Sequence, residues 1–198
     1  ATAFDITTVP NAPGYVRTVT DPVRTGGVMR NEVTDRDEWS TELRLESDRA
    51  ARFRYMVGAY YYESRRSLEE RHFAIAPTVF SGETRVDNVA LFGSIGFDFT
   101  DRWEATAELR YAEDTVGNYN ASARPTGPLI ENTFDSVSPR VTTTFKFTPE
   151  NMIYANVAKG NKPGVINPDP RFPAEVRFAD EEESWNYEVG TKNRLFDG

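Results

Sequence analysis

From Trp103 to Tyr111 the residues alternate without a break. Trp103, Ala105, Ala107, Leu109 and Tyr111 fall on one side, and Glu104, Thr106, Glu108 and Arg110 on the other. A period of two belongs to an extended strand with one apolar and one charged face. Six more runs of this kind can be read, at about 38–47, 53–64, 86–100, 134–147, 152–160 and 183–195. Their connections go short, long, short, long, short, long. A transmembrane sheet closed into a barrel has tight turns at one rim and long loops at the other, whereas a soluble sandwich has no reason to keep that asymmetry.

Composition agrees. The 198 residues suit a single domain. At 38% hydrophobic residues and a mean hydropathy of -0.59, no helical span of roughly 20 apolar residues is possible. Barrel strands escape that test, because half of each strand faces away from lipid. Aromatic residues reach 13%, dominated by Phe and Tyr, as strands and interfacial girdles favour. A net charge of -8 argues against nucleic acid, which needs clustered Lys and Arg. Without cysteine there are no disulfides, zinc-thiolate sites or thiol nucleophiles. The chain opens at Ala1 without an apolar leader and stops at Asp197-Gly198, a turn signal that introduces a further strand. It reads as a piece of something longer.

Residues 1–37 carry Pro10, Pro13, Pro22, Gly14, Gly26 and Gly27 without sustained period. They are expected as an extracellular loop with a partial strand near Gly14–Thr20. Asp101-Arg102 and Thr148-Pro149-Glu150-Asn151 mark tight turns. The stretches 65–85, 116–133 and the Pro-rich 161–181 are expected as long loops. Register is tightly set if the apolar face meets lipid. A one-residue slip in the Trp103 strand turns Arg110 outward, at about 2–4 kcal/mol for an Arg at the bilayer midplane.

The ordered series of motifs resembles the barrel of TonB-dependent outer-membrane receptors. Thr41-Glu42-Leu43-Arg44-Leu45-Glu46-Ser47 and then Gly58-Ala59-Tyr60-Tyr61 look like one recurring strand pair. Ala90-Leu91-Phe92-Gly93 and Leu109-Arg110-Tyr111 with Asp114 resemble the next. Ser138-Pro139-Arg140, Ile153-Tyr154-Ala155, Gly160-Asn161-Lys162-Pro163-Gly164 and Trp185-Asn186-Tyr187-Glu188-Val189-Gly190-Thr191-Lys192 follow in the family's order. The resemblance covers residues 38–198, with Asn161 where an aromatic is common and Glu108 where glycine is common.

That resemblance implies an all-β antiparallel up-and-down meander, about seven strands of a 22-stranded transmembrane barrel, in the outer membrane of a Gram-negative bacterium. It implies TonB-energised uptake of a scarce ligand, a ferric siderophore or similar iron complex being the expectation. The partners it implies are outer-membrane lipid, a plug domain and remaining barrel strands outside these residues, TonB acting indirectly, and the small ligand. Seven strands alone leave two unpaired edges, which hydrocarbon does not tolerate.

The charges Glu42, Arg44, Glu104, Glu108, Arg110, Arg140, Lys146, Glu188 and Lys192 share the polar face. Cross-strand pairing is the ordinary way such a face is satisfied. Lys162, Asn167, Arg171 and Arg177 in the last loop are the candidates for contact with an anionic ligand, since loops carry recognition. The run Asp180-Glu181-Glu182-Glu183 offers hard oxygen ligands but reads as a solvated charge run. His72, the single histidine, has no imidazole partner with which to hold a metal. No nucleophile elbow or phosphate-binding Gly-Lys loop is present, so no enzyme and no cofactor is expected. Trp39, Trp103 and Trp185 are expected near the rims. A passive porin-like channel and a soluble all-β binding module are the alternatives.

Overall fold

The computed structural model describes residues 3–9, 15–21, 28–72, 78–120, 129–167 and 173–194. The long strands are β3 (Val28–Glu46), β4 (Phe53–His72), β5 (Thr78–Thr100), β6 (Trp103–Asn120), β7 (Ile130–Thr148), β8 (Asn151–Lys162) and β11 (Glu182–Asn193). Each pairs antiparallel with its predecessor in one meander. Two shorter strands, β1 (Ala3–Val9) and β2 (Tyr15–Asp21), lie end to end along the free edge of β3, opposite its residues 40–46 and 28–34. A small second sheet pairs β9 (Val165–Ile166) with β10 (Phe178–Ala179), the latter preceded by a 3-10 turn at Ala174–Val176.

Leu43, Val57, Leu91, Ile95, Leu109, Val141, Val157 and Val189 all stand on the apolar face of the sheet, and all are exposed. A sheet that shows its largest apolar side chains on one surface needs an apolar surrounding there. Aromatics bound this band. At the turn end, Phe99 stacks on Trp103 with ring centroids 4.4 Å apart, and Phe145 meets Phe147 edge-on at 5.2 Å. At the far end Trp39 contacts Tyr61 at 4.8 Å, and Trp185 stacks on Tyr187 at 6.3 Å. All three tryptophans lie on the apolar face at a band edge.

The band steps along the strands. Its far edge passes from Tyr61, paired with Val89, to Tyr111, paired with Val137, and then down to Val157, paired with Val141. Its turn edge steps likewise, from Phe53 paired with Phe97, to Trp103 paired with Phe145. Such a stagger is what tilted strands in a barrel wall require. Irregularities at Asp98/Thr100 and Lys146/Thr148 fall next to two of the tight turns, where bulges are common at barrel rims.

The strands are longer than expected. Much of 65–85 and 116–133 is strand, β4 reaching His72 and β7 starting at Ile130, and β3 begins at Val28 rather than near Glu38. The reason is physical. Beyond the band the apolar face turns polar, with Asp37, Glu63, Asp87, Glu113 and Asp135, so the two faces no longer differ and the period loses its contrast. Backbone pairing, with scattered polar side-chain contacts, carries the strands on. Glu63 marks the boundary: its carboxylate accepts from Trp39 Nε1 at 2.9 Å and lies 2.9 Å from Arg65. The indole hydrogen bond first, then the Arg65 charge, hold it below the ordinary glutamate range.

Candidate functional site

On the polar face, side chains from every long strand meet at three heights. Near the turns, Arg54 grips Asp98 through two hydrogen bonds of 2.7 and 2.6 Å. Glu104 sits 3.9 Å from both Arg54 and Lys146. This ties four neighbouring strands, β4 to β7, and bidentate geometry makes the Arg54–Asp98 pair the strong member.

At mid-height Glu42 pairs with Arg44 at 2.7 Å and Glu108 with Arg140 at 3.9 Å. Arg44 lies over the Phe92 ring, 5.7 Å from its centroid, and Arg110 over Tyr60 at 5.4 Å. Such stacks contribute roughly 0.5–1 kcal/mol at exposed sites. The Phe92 ring packs against Gly58, where a Cβ would come within 2.4 Å of it. Arg44 Nε is buried with no hydrogen-bond partner. Between the last two long strands, Tyr154 of β8 donates to Glu188 of β11 at 2.6 Å, and Lys192 lies over the same ring at 5.8 Å. All nine polar-face charges therefore contact a neighbour on this wall. A depression of about 370 Å³ opens between Glu42, Arg44, Phe92, Arg110 and Arg140.

Toward the far end, Arg110 donates to Asn88 at 3.0 Å and Asn88 to Asp114 at 2.7 Å. Above them, the described residues between Lys162 and Glu182 (163–167 and 173–181) form a tongue whose β9 end folds back over the polar face of β6 and β7. Asn118 Nδ2 donates to the Ile166 carbonyl at 2.6 Å. Ile166 and Val116 are 5% and 8% exposed. The splitting of β8 from β7 makes room for this tongue. Their pairing ends at Arg140↔Ala158, one residue from Pro139, which has no N–H to give to a ladder. Asn161 bridges the gap instead, donating to Val137 O at 3.2 Å and to Ser138 Oγ at 2.7 Å.

The last-loop candidates distribute as follows. Asn167 and Arg177 face each other where the β9–β10 ladder continues, Asn167 N donating to Arg177 O at 2.8 Å. Lys162 stands at the root of the tongue, exposed, 3.3 Å from Glu182. Arg171 lies outside the described residues. Of the acidic run, Glu182 and Glu183 are held in ion pairs, Glu183 with Lys159 at 2.5 Å. Among the described residues no group of three or more His, Asp or Glu is placed to hold a metal ion. His72 is the last residue of β4. Sequence reasoning passed over Asn118 and Val116, whose stretch shows no face contrast, and read Phe134 only as the start of a strand, because its approach to Gly164 is set by the fold.

Known proteins share this architecture. The family model described as TonB dependent receptor-like, beta-barrel matches residues 2–198. The pesticin receptor of Yersinia pestis is 27% identical over 162 residues, covering 79% of this chain and 24% of that protein. The chain thus spans about a quarter of the length of the curated relatives it matches. In fold it is similar to the ferric yersiniabactin uptake receptor FyuA from Yersinia pestis, with a TM-score of 0.79 and 20% identity over 98% of this chain and 31% of that one. It is also similar to the siderophore receptor PiuA from Acinetobacter baumannii, with a TM-score of 0.65 and 17% identity over 93% of this chain and 34% of that one. With a family match over almost its whole length and the same staggered antiparallel wall, this chain belongs to the TonB dependent receptor-like β-barrel family.

Proposed function

We infer that this chain is a wall segment of an outer-membrane receptor that imports a ferric siderophore or similar iron chelate with energy passed by TonB. The family match over residues 2–198 carries this reading. The sheet supports it physically, because its apolar face suits lipid, its polar face suits a filled lumen, and its far end reaches beyond the band. The relatives supply the ligand class: one is named a siderophore receptor and another a ferric yersiniabactin uptake receptor.

The segment's part in uptake is reception. Capture takes place at the far end, where Lys162, Asn167 and Arg177 of the tongue, together with Arg171 of the same sequence stretch, are the proposed contacts for an anionic chelate. Cations on a partly desolvated rim both attract such a ligand and fix its orientation. A plug inside the barrel, moved by TonB, then admits it. This wall performs no bond chemistry.

The test is accumulation of 55Fe from ferric yersiniabactin by cells carrying the full-length receptor as their sole route for that chelate. Saturable accumulation that disappears on deleting TonB supports the proposal. Uptake that persists without TonB and rises linearly with concentration identifies a passive channel instead.

A further inference from the structure

We propose that the base of the tongue, the β9–β10 ladder with Gly164, Asn167 and Arg177, is a fixed inner wall of the mouth, docked on β6–β7, and that Asn118 is the residue that positions it for ligand recognition. This rests on the reception reading above.

A relay of hydrogen bonds crosses three elements. Thr84 of β5 and Asn118 of β6 stand directly opposite each other, and Thr84 Oγ1 donates to Asn118 Oδ1 at 2.8 Å. With its oxygen held from behind, the Asn118 amide turns its NH2 toward the tongue and meets Ile166 O at 2.6 Å. An amide that both accepts and donates is fixed in orientation, as a hydroxyl rotor is not. Beside this bond, Ile166 is 5% exposed and Val116 8%, so apolar burial accompanies the polar contact.

Gly164 closes the seat. A Cβ there would lie 2.2 Å from the Ala179 carbonyl and 2.5 Å from the Phe134 ring, so the backbone enters where no side chain fits. Phe134, Val116 and Asn118 all belong to the polar, lumen-side face, which sets the direction of the fold-back. From this platform the Asn167–Arg177 pair is presented at a constant position. Recognition groups ordered before the ligand arrives bind without an ordering cost on binding.

This chain has no native cysteine, so in a receptor whose remaining residues are also cleared of cysteine the two introduced thiols are the only ones. In the full-length receptor on cells, V116C combined with I166C is treated with a short thiol-reactive crosslinker before ligand is added. We expect near-complete crosslinking without ligand, and 55Fe-yersiniabactin uptake within twofold of the untreated receptor. N118A, which removes the donor, should raise the half-saturation concentration about tenfold at unchanged maximal rate and abundance. N118D keeps an acceptor for Thr84 but has no amide donor, and should behave like N118A. Failure to crosslink in a receptor of normal abundance overturns the docked tongue. A crosslinked receptor that loses uptake tenfold and regains it when the link is cleaved shows a moving gate and overturns the fixed wall. An unchanged half-saturation in N118A overturns the positioning role. If the unmodified receptor accumulates no iron from either ferric yersiniabactin or ferric citrate, the iron-chelate reading falls, while crosslinking yield still decides the docking.

Discussion

At the scale of single residues, close approach decides more than charge. Gly58 accepts the Phe92 ring that carries Arg44, and a methyl group at 58 would lie 2.4 Å from that ring and 2.9 Å from the Leu43 carbonyl. G58A should therefore lower the stability of the full-length receptor by about 1–3 kcal/mol, the usual cost of overpacking, measured by urea titration in lipid vesicles. Glu63 offers a test of sign. Its folded pKa is lowered by the Trp39 indole and Arg65, so its contribution is present above the ordinary glutamate value of about 4.3. It is lost as pH falls through the folded value. In W39F the largest of those causes is gone, and the fall in stability on acidification should be shallower than in the unmodified receptor, read from urea midpoints between pH 6 and pH 3.

At the scale of elements, each long strand is two strands in physical character. Its half beside the tight turn has one face for lipid and one for the lumen. That contrast made Phe53, Tyr55, Val57, Ala59 and Tyr61 readable as a strand from their order alone. Its far half has polar residues on both faces, and residues such as Arg65, Arg66 and Ser67 are paired through the backbone to both neighbouring strands. No face contrast exists there to read, which is why the far halves of β4 and β6 pass for loop. The tongue is still less readable, because its seat joins Gly164 to Phe134 and Asn118 to Ile166 across distances that only the fold sets. The same division predicts different penalties for one substitution. I95R, at the middle of the band, should cost about 2–4 kcal/mol in vesicle refolding, whereas T115R on the same face beyond it should cost about 0–1 kcal/mol.

At the scale of the whole molecule, the wall explains itself only as part of a closed ring. β11 and the β1–β2 edge are free here, and free edges are not tolerated in hydrocarbon. The ring's tilt is already written in the stagger of the apolar band, which steps down from Tyr61 to Tyr111 to Val157. Depth-resolved labelling should follow the same steps. Single cysteines at Val89, Leu109 and Val141 should react with a lipid-soluble thiol reagent at least tenfold faster than with a charged one. Cysteines at Glu113 and Asp135 should show the reverse order. Equal reactivity at all five positions would remove the lipid from the apolar face.

The overhang of the strands has an electrostatic consequence. β4 runs from Tyr61, at the band edge, to His72. At about 3.4 Å per residue and a tilt near 40°, that carries the wall roughly 25–30 Å beyond the apolar band. Fields in physiological salt fade over about 8 Å. Under the proposed role in iron-chelate uptake, a chelate approaching at that height lies beyond reach of the lipid headgroups' charge and responds only to the ion pairs of the wall itself. Capture rates should then depend on charge substitutions at the mouth and stay constant when the charge of the surrounding lipid is changed.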